Sequence, residues 1–286
     1  MPEDPGLDTL IVRLTTEMLV TGRLVAMAFI ILHTLFPLYW ALVTSFRHGT
    51  TLFSTALFTF PDLENYRKVL GGPELWRETL NSVLCAGSVT LISLILGIPA
   101  AYALGQMSFP GRRLVLGLLL LCSMLPQIAI LSGLFELISA LGLYDHVESI
   151  IFADLFFALP FTIWLLTGFF RDLPPELDDA AKLDGCSLMR RIFSIHLPLV
   201  WPGIAATGLL NIMTCWNEFL FALTFTLNDS ARTLPVGIGL ISAPGRFELP
   251  FGTIMAASLL ATLPPILLVL FFQNRIASGL SAGAVK

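Results

Sequence analysis

Two acids stand inside apolar runs that otherwise carry no charge, Asp154 in "IIFADLFFALP" and Glu218 in "CWNEFLF". An ionisable group at such depth is costly and marks a functional position by default. A carboxylate there can accept hydrogen bonds from hydroxyl groups, and Phe156 or Trp164 can offer an aromatic face beside it. The alternative for Asp154 is a place near the outer interface or a partner within a complex. Gln127 after Pro126, together with Asn211 and Asn217, extends the same polar set. None of this amounts to catalysis. His33, His48, His146 and His196 are scattered with no matching nucleophile or acid motif, so no catalytic residue is assigned. Cys85, Cys122, Cys186 and Cys215 lack metal or redox spacing and read as small buried hydrophobes, so no metal site is assigned either. None of Lys68, Lys182 and Lys286 follows a glycine, which excludes a phosphate-binding G-x-x-x-x-G-K-[ST] loop.

The elements that must position these residues are membrane spans. The chain of 286 residues is 56% hydrophobic and 13% charged, about half the charge that a soluble domain carries, roughly 25%. Its mean hydropathy is +0.83. The formal net charge of -4 and the lack of a basic stripe exclude nucleic acid as a partner. A spanning helix needs about 20 mostly apolar residues. Six stretches qualify, at 24–46, 82–105, 114–135, 150–170, 199–223 and 251–273. The sequence is therefore expected to form an all-α integral membrane protein with six transmembrane helices.

An even number of spans places both termini on one side, and the lysine and arginine bias of short loops chooses it. With the termini in the cytoplasm, the internal loops hold Arg112, Arg113, Arg171, Lys182, Arg190 and Arg191, whereas the short external loops hold only Arg232 and Arg246. The first 23 residues, with apolar positions Leu10, Ile11, Leu14, Met18 and Leu19, suggest a surface helix leading into the first span. The expected organisation is an interfacial segment at 1–23, a transmembrane domain at 24–273 with a cytoplasmic loop at 171–198, and a cytoplasmic tail at 274–286. Pro126, Pro160 and Pro264 with Pro265 are expected to break or kink their helices.

That cytoplasmic loop, "DDAAKLDGCSLMRRIFSIHLP" from Asp178 to Pro198, is unlike its surroundings. "PPEL" opens a helix with prolines where the backbone N–H has no partner, and Glu176, Asp178 and Asp179 complement the positive end of the helix dipole. Gly185 can end or bend it. A second short helix follows with Leu188, Ile192 and Ile195 near helical spacing, closed by Pro198. Such a helix–glycine–helix unit suits docking onto another protein.

Its residues resemble the cytoplasmic signature of permease subunits in ATP-binding-cassette importers, E-A-A, three residues, G, nine residues, I-x-L-P. Asp179, Ala180 and Ala181 occupy the triplet, Gly185 the glycine, and Ile195, Leu197 and Pro198 the close. Asp184 before the glycine is common in that family, and Asp179 departs from the pattern by shortening the acid. "PGRR" at 110–113, "WNEF" at 216–219 and "GLSAGAVK" at 279–286 are similar to the second permease subunit of maltose-type carbohydrate importers. The resemblance implies the type I ABC importer permease fold in a plasma (inner) membrane. It also implies a heterodimer with a second permease, two ABC ATPase subunits that bind ATP and Mg, and a periplasmic or lipid-anchored sugar-binding protein. The loop would be the coupling helix seated in the ATPase, the tail would reach the nucleotide-binding dimer, and the cargo would be a di- or oligosaccharide. Because "WNE" recurs in that family, a structural or gating role for Glu218 stands level with substrate contact. An ion-coupled secondary transporter is the alternative. It would use buried acids and inverted repeats with broken helices, and no repeat is evident.

Overall fold

The computed structural model describes residues 5–58, 60–241 and 250–284, and side chains for most of those between 16 and 273. All regular structure among the described residues is helical, as hydrocarbon demands of a chain whose backbone groups must pair internally. The chain divides into two compact units, Met1–Val69 with Ala243–Leu259, and Leu70–Ser242 with Leu260–Lys286.

In the first unit α1 (Pro5–Ser45) runs without interruption. The expected surface helix and first span are therefore one rod, because no glycine-rich or capping stretch separates them. A 3-10 turn (Gly49–Phe53) and α2 (Glu64–Gly71) follow. Buried Arg47 ties the loop together. Its Nη1 donates to the Ser54 carbonyl at 2.5 Å, its Nη2 to that of Ala56, and the guanidinium lies 5.2 Å from the Trp40 ring. Asn65 Nδ2 donates to the Ser45 and Arg47 carbonyls, both at 2.9 Å, while its Oδ1 accepts from Thr253 Oγ1 at 3.1 Å. Thr253 lies in the first turn of α12 (Phe251–Ala284). That helix runs on through most of the expected tail, while residues 285–286 of the tail and Arg246 lie outside the described residues.

The second unit is built on α3 (Pro73–Gln106) and α6 (Val147–Arg171), with α9 (Leu197–Trp216) packed against both. Small residues permit the close approach that drives helix association in lipid. A Cβ added at Gly105 would stand 2.5 Å from Phe170 Cβ, and one at Gly203 2.5 Å from the Phe169 ring. Ile98, Ala101, Tyr102, Leu166, Phe170, Ile192, Val200 and Ile204 fill the core between these helices. A second cluster joins Leu134, Ile138 and Ala153 to Phe221 and Phe225.

Five described helices are long and apolar enough to cross a membrane, and a bent pair makes up to six. The bent pair falls on the expected span at 114–135, at the proline expected to break or kink it. It consists of α4 (Arg112–Met124) and α5 (Gln127–Ala140), set 91° apart at Leu125–Pro126. Proline lacks a donor and forces the preceding residue into extended geometry, and Leu125 adopts φ -62, ψ 137. Pro160, Pro264 and Pro265 instead lie inside continuous helices, as membrane helices allow when neighbours supply the missing contacts.

Two more expectations change. The fifth span ends at Trp216 rather than at 223, and α10 (Leu220–Phe225) follows after a short gap. Pro198 does not close a separate short helix. Helix α7 (Pro175–Leu183) is followed by α8 (Leu188–Arg190), a π-helical turn (Arg191–His196) and α9, which form one helical run from Leu188 to Trp216. Pro198 cannot donate to the carbonyl four residues back, and the wide turn before it absorbs the misfit. A short helix, α11 (Leu234–Gly239), lies beyond α10.

Gly105→Ala should destabilise the purified protein by about 1–3 kcal/mol through overpacking against Phe170. Gly117→Ala on α4 meets nothing within 4 Å and should stabilise it by up to about 1 kcal/mol through helix propensity. Thermal unfolding in detergent, followed by size-exclusion fluorescence, checks both signs.

Candidate functional site: an amphipathic hairpin and the polar residues of the spans

Helix α7 opens on Pro175 with Glu176 and Asp178 in its first turn, as its composition demands. It closes in a Schellman motif: Gly185 N–H donates to the Lys182 carbonyl and Cys186 N–H to that of Ala181, both at 3.0 Å. Gly185 sits at φ +72, a conformation that costs a side-chain-bearing residue about 1–2 kcal/mol. Ser187 then caps the next turn, its Oγ accepting from Arg190 N–H at 3.4 Å.

The hairpin has two faces. Asp178 and Ala181 are buried inward, while Glu176, Asp179, Ala180, Asp184 and Gly185 are exposed and Leu183 is 90% exposed. Ile195 and Leu197 are half-buried in the helical run that follows, and Pro198 is exposed. The structure thus brings Asp179, Ala180, Asp184 and Gly185 onto one open surface, with Ala181 on the opposite side.

The inward face is polar where a hydrophobic seam would be ordinary. Asp178 is 2% exposed. Tyr102 Oη donates to its Oδ1 at 2.5 Å, Arg191 Nη1 lies 3.0 and 2.9 Å from its two oxygens, and Lys182 Nζ lies 3.0 Å from Oδ2. Burial works against the Asp178 charge, but the hydrogen bonds from Tyr102 and Lys182 and the Arg191 charge outweigh it and hold the carboxyl below the usual carboxylate range. Since the folded pKa is depressed, the stabilisation is complete above the ordinary value of about 3.9 and fades only as pH falls through the lowered one. The Tyr102 ring also meets His196 edge-on at 5.1 Å and Phe170 at 5.9 Å. His196 is fully buried, with Nδ1 2.9 Å from the Arg191 carbonyl across the π turn. The sequence singled out neither Tyr102 nor the pairing of Arg191 with Asp178. A lone tyrosine in "AAYALG" carries no local signal of a partner 76 residues away.

The polar residues of the spans fall into two groups. Asn211 is buried and donates to Thr162 Oγ1 at 2.7 Å, which bridges α9 to α6. Glu218, 7% exposed, fills the gap after α9: its oxygens accept from Phe221 N–H at 2.6 Å and Ala222 N–H at 2.9 Å, capping α10. Asp154 is 5% exposed in α6 and leaves Oδ2 without a partner. Gln127 and Asn217 form the open group. Gln127 is half-buried at the start of α5, beside the 91° break, and Asn217 is exposed, with Nδ2 donating to the Met213 carbonyl at 2.7 Å. Phe156 is exposed and Trp164 38% exposed.

Among the described residues one group could approach a metal ion, His48, Asp62 and Glu64, whose ligand atoms lie within 4.8 Å of one another. Glu64 is already paired with Lys68 at 2.7 Å, and Asp62 Oδ1 accepts from Glu64 N–H at 2.9 Å.

Glu218→Ala should cost about 1–3 kcal/mol by leaving two buried N–H groups unpaired. Glu218→Gln, which keeps one acceptor oxygen, should lose less. Equal thermal stability of the alanine variant and the parent in detergent would contradict the capping role.

Residues 93–282 match the family model described as "Binding-protein-dependent transport system inner membrane component". The trehalose/maltose transport system permease protein MalG of Thermococcus litoralis is 40% identical over 255 residues, 88% of this chain and 91% of the relative. The trehalose transport system permease protein SugB of Mycobacterium tuberculosis is 36% identical over 255 residues, 89% and 93% of the two chains. The sulfoquinovosyl glycerol transport system permease protein SmoH of Agrobacterium fabrum is 34% identical over 267 residues, 92% and 93%. In fold, the chain is similar to one in the crystal structure of a bacterial ABC transporter involved in the import of the acidic polysaccharide alginate. The TM-score is 0.75 over 96% of this chain and 99% of that one, at 20% identity. These relatives are named as transport permeases rather than enzymes. With two thirds of its length matched and its helices in that fold, the chain belongs to the family of inner-membrane components of binding-protein-dependent transport systems.

Proposed function

We propose that this chain is one of two permease subunits of an ATP-driven importer for a di- or oligosaccharide. A second permease completes the pore, and a periplasmic or lipid-anchored binding protein delivers the sugar. Two ABC ATPases bind ATP and Mg; this chain binds no nucleotide through a phosphate loop of its own. Both termini lie in the cytoplasm, in keeping with the arginine-rich inner loops. The observation that carries the reading is the hairpin: an exposed face of Asp179, Ala180, Leu183, Asp184 and Gly185, presented on a rigid base between two spans. The names of the relatives support a sugar as cargo. The ion-coupled alternative loses ground because Glu218 spends both oxygens on backbone N–H groups.

In this reading, ATP closes the ATPase dimer and carries α7 with it. The spans then swing from an inward-open to an outward-open pore, and hydrolysis resets them. Nucleotide must favour one state by about 5.5 kcal/mol to shift populations from 1:99 to 99:1. Gln127 and Asn217, the open residues, line the substrate path, while Asn211 and Glu218 hold the helices that present them. Asp154 lies behind them, beside Cys215.

Purification of the tagged full-length chain from detergent, with mass spectrometry of what accompanies it, tests the reading. A second permease, an ATPase and a sugar-binding protein are expected; a chain recovered with no ATPase would sink it. In reconstituted vesicles, Gly185→Asp and Ala180→Trp should abolish uptake and substrate-stimulated ATP hydrolysis without reducing the amount inserted. Asn217→Ala should raise the KM for sugar about tenfold, the loss of one good hydrogen bond, and an unchanged KM would remove it from the path.

A further inference from the structure

The hairpin is joined to the span before it by Asp172–Pro174 and to the run after it by Asp184–Ser187. A helix of nine residues is not stable alone, and the apolar side chains it turns inward are few, buried Ala181 and half-buried Leu177. What fixes its direction is Asp178. That carboxylate is gripped by a hydroxyl from α3 (Tyr102), a guanidinium from the base of the fifth span (Arg191) and an ammonium from its own helix (Lys182). Apolar contacts are non-directional and allow sliding. Charge-assisted hydrogen bonds at 2.5–3.0 Å are short, oriented and strong.

Around this grip the other ties converge. Gln106 Nε2, at the end of α3, donates to the Phe170 carbonyl at 2.5 Å and the Leu173 carbonyl at 3.4 Å. Arg112 Nη2, at the start of α4, donates to the Gly105 carbonyl at 3.1 Å. The Tyr102 ring is clamped between Phe170 and His196. The π-helical turn carries both Arg191 and His196, and such wide turns persist where they serve a site.

We propose that Tyr102, Asp178 and Arg191 form a latch that makes α7, the inner end of α3 and the base of the fifth span a single rigid body, so that force applied to the exposed face of α7 enters the pore through α3 together with the fifth span. Tyr102 is thus a positioning residue that never touches the ATPase. This inference rests on the reading of α7 as the ATPase dock and adds the route by which motion leaves it.

The test uses the assembled importer. Cys122 and Cys186 are replaced, the buried Cys85 and Cys215 are kept, and spin labels are placed at Glu176 on α7 and at Met107 just beyond α3, both exposed. In the parent, the label-to-label distance should be the same without nucleotide and after trapping with ATP, Mg and vanadate. In Tyr102→Phe, which keeps the ring and deletes only the hydroxyl, the distribution should broaden on trapping. Uptake of labelled maltose or trehalose per ATP hydrolysed should also fall about tenfold, the factor carried by one charge-assisted hydrogen bond. Asp178→Asn should behave likewise, and Asp178→Glu should recover part of the loss. A parent distance that shifts between the two states would overturn the latch, as would a Tyr102→Phe complex with unaltered uptake per ATP. Should that variant fail to assemble, the parent distance still decides. A parent that recruits no ATPase is a different failure, that of the docking reading itself.

Discussion

Hydrocarbon offers no hydrogen bonds, so each backbone N–H and C=O within a span must find its partner in the chain. That constraint accounts for the helices, and it also explains what happens where they stop. At the end of α9 the interruption is sealed by Glu218, whose two oxygens accept from the Phe221 and Ala222 N–H groups in the first turn of α10. At Leu125–Pro126 the chain turns 91° between two helices, and proline reduces the number of donors left to satisfy. Thr207 Oγ1 and Thr167 Oγ1 return hydrogen bonds to carbonyls one turn back, at 2.8 and 2.6 Å, and so bury their hydroxyls at no cost in unpaired groups. In Glu218 the acid that looked costly by its apolar surroundings is the group that closes the open end of a helix.

The same accounting separates what local sequence conveys from what it does not. Apolar runs of about 20 residues announce spans, and "ELDDAAKLDG" announces a capped helix with a glycine stop, because both depend on residues close in the chain. Proline is ambiguous: Pro126 and Pro160 look alike in sequence, yet only the first breaks its helix. The difference lies in what packs alongside, and α6 is held by α3, α4 and α9 along its length. Pro198 misleads for a related reason, since the π turn before it lets the helix continue. The hairpin's open face was legible as a capped helix with exposed acids, because cap and stop residues are local. The inward grip was not, because Tyr102 and Asp178 lie on elements that only tertiary packing brings together. Asn211 and Glu218 were legible as polar residues in apolar runs, but their bonds to Thr162 and to backbone N–H groups are set by packing and chain breaks.

Beyond the joint at Asp184–Ser187, the helical run from Leu188 to Trp216 continues into the fifth span without a break. At 1.5 Å per residue its 29 residues form a rod about 43 Å long. Such a rod is a lever. A tilt of about 5° at one end sweeps the other through about 4 Å, roughly three quarters of a helical turn. The far end carries Asn211 and leads through Asn217 into the Glu218 cap. For a rod of this length a small tilt at the Leu188 end is, by geometry alone, a displacement of several ångström at the Asn211 end.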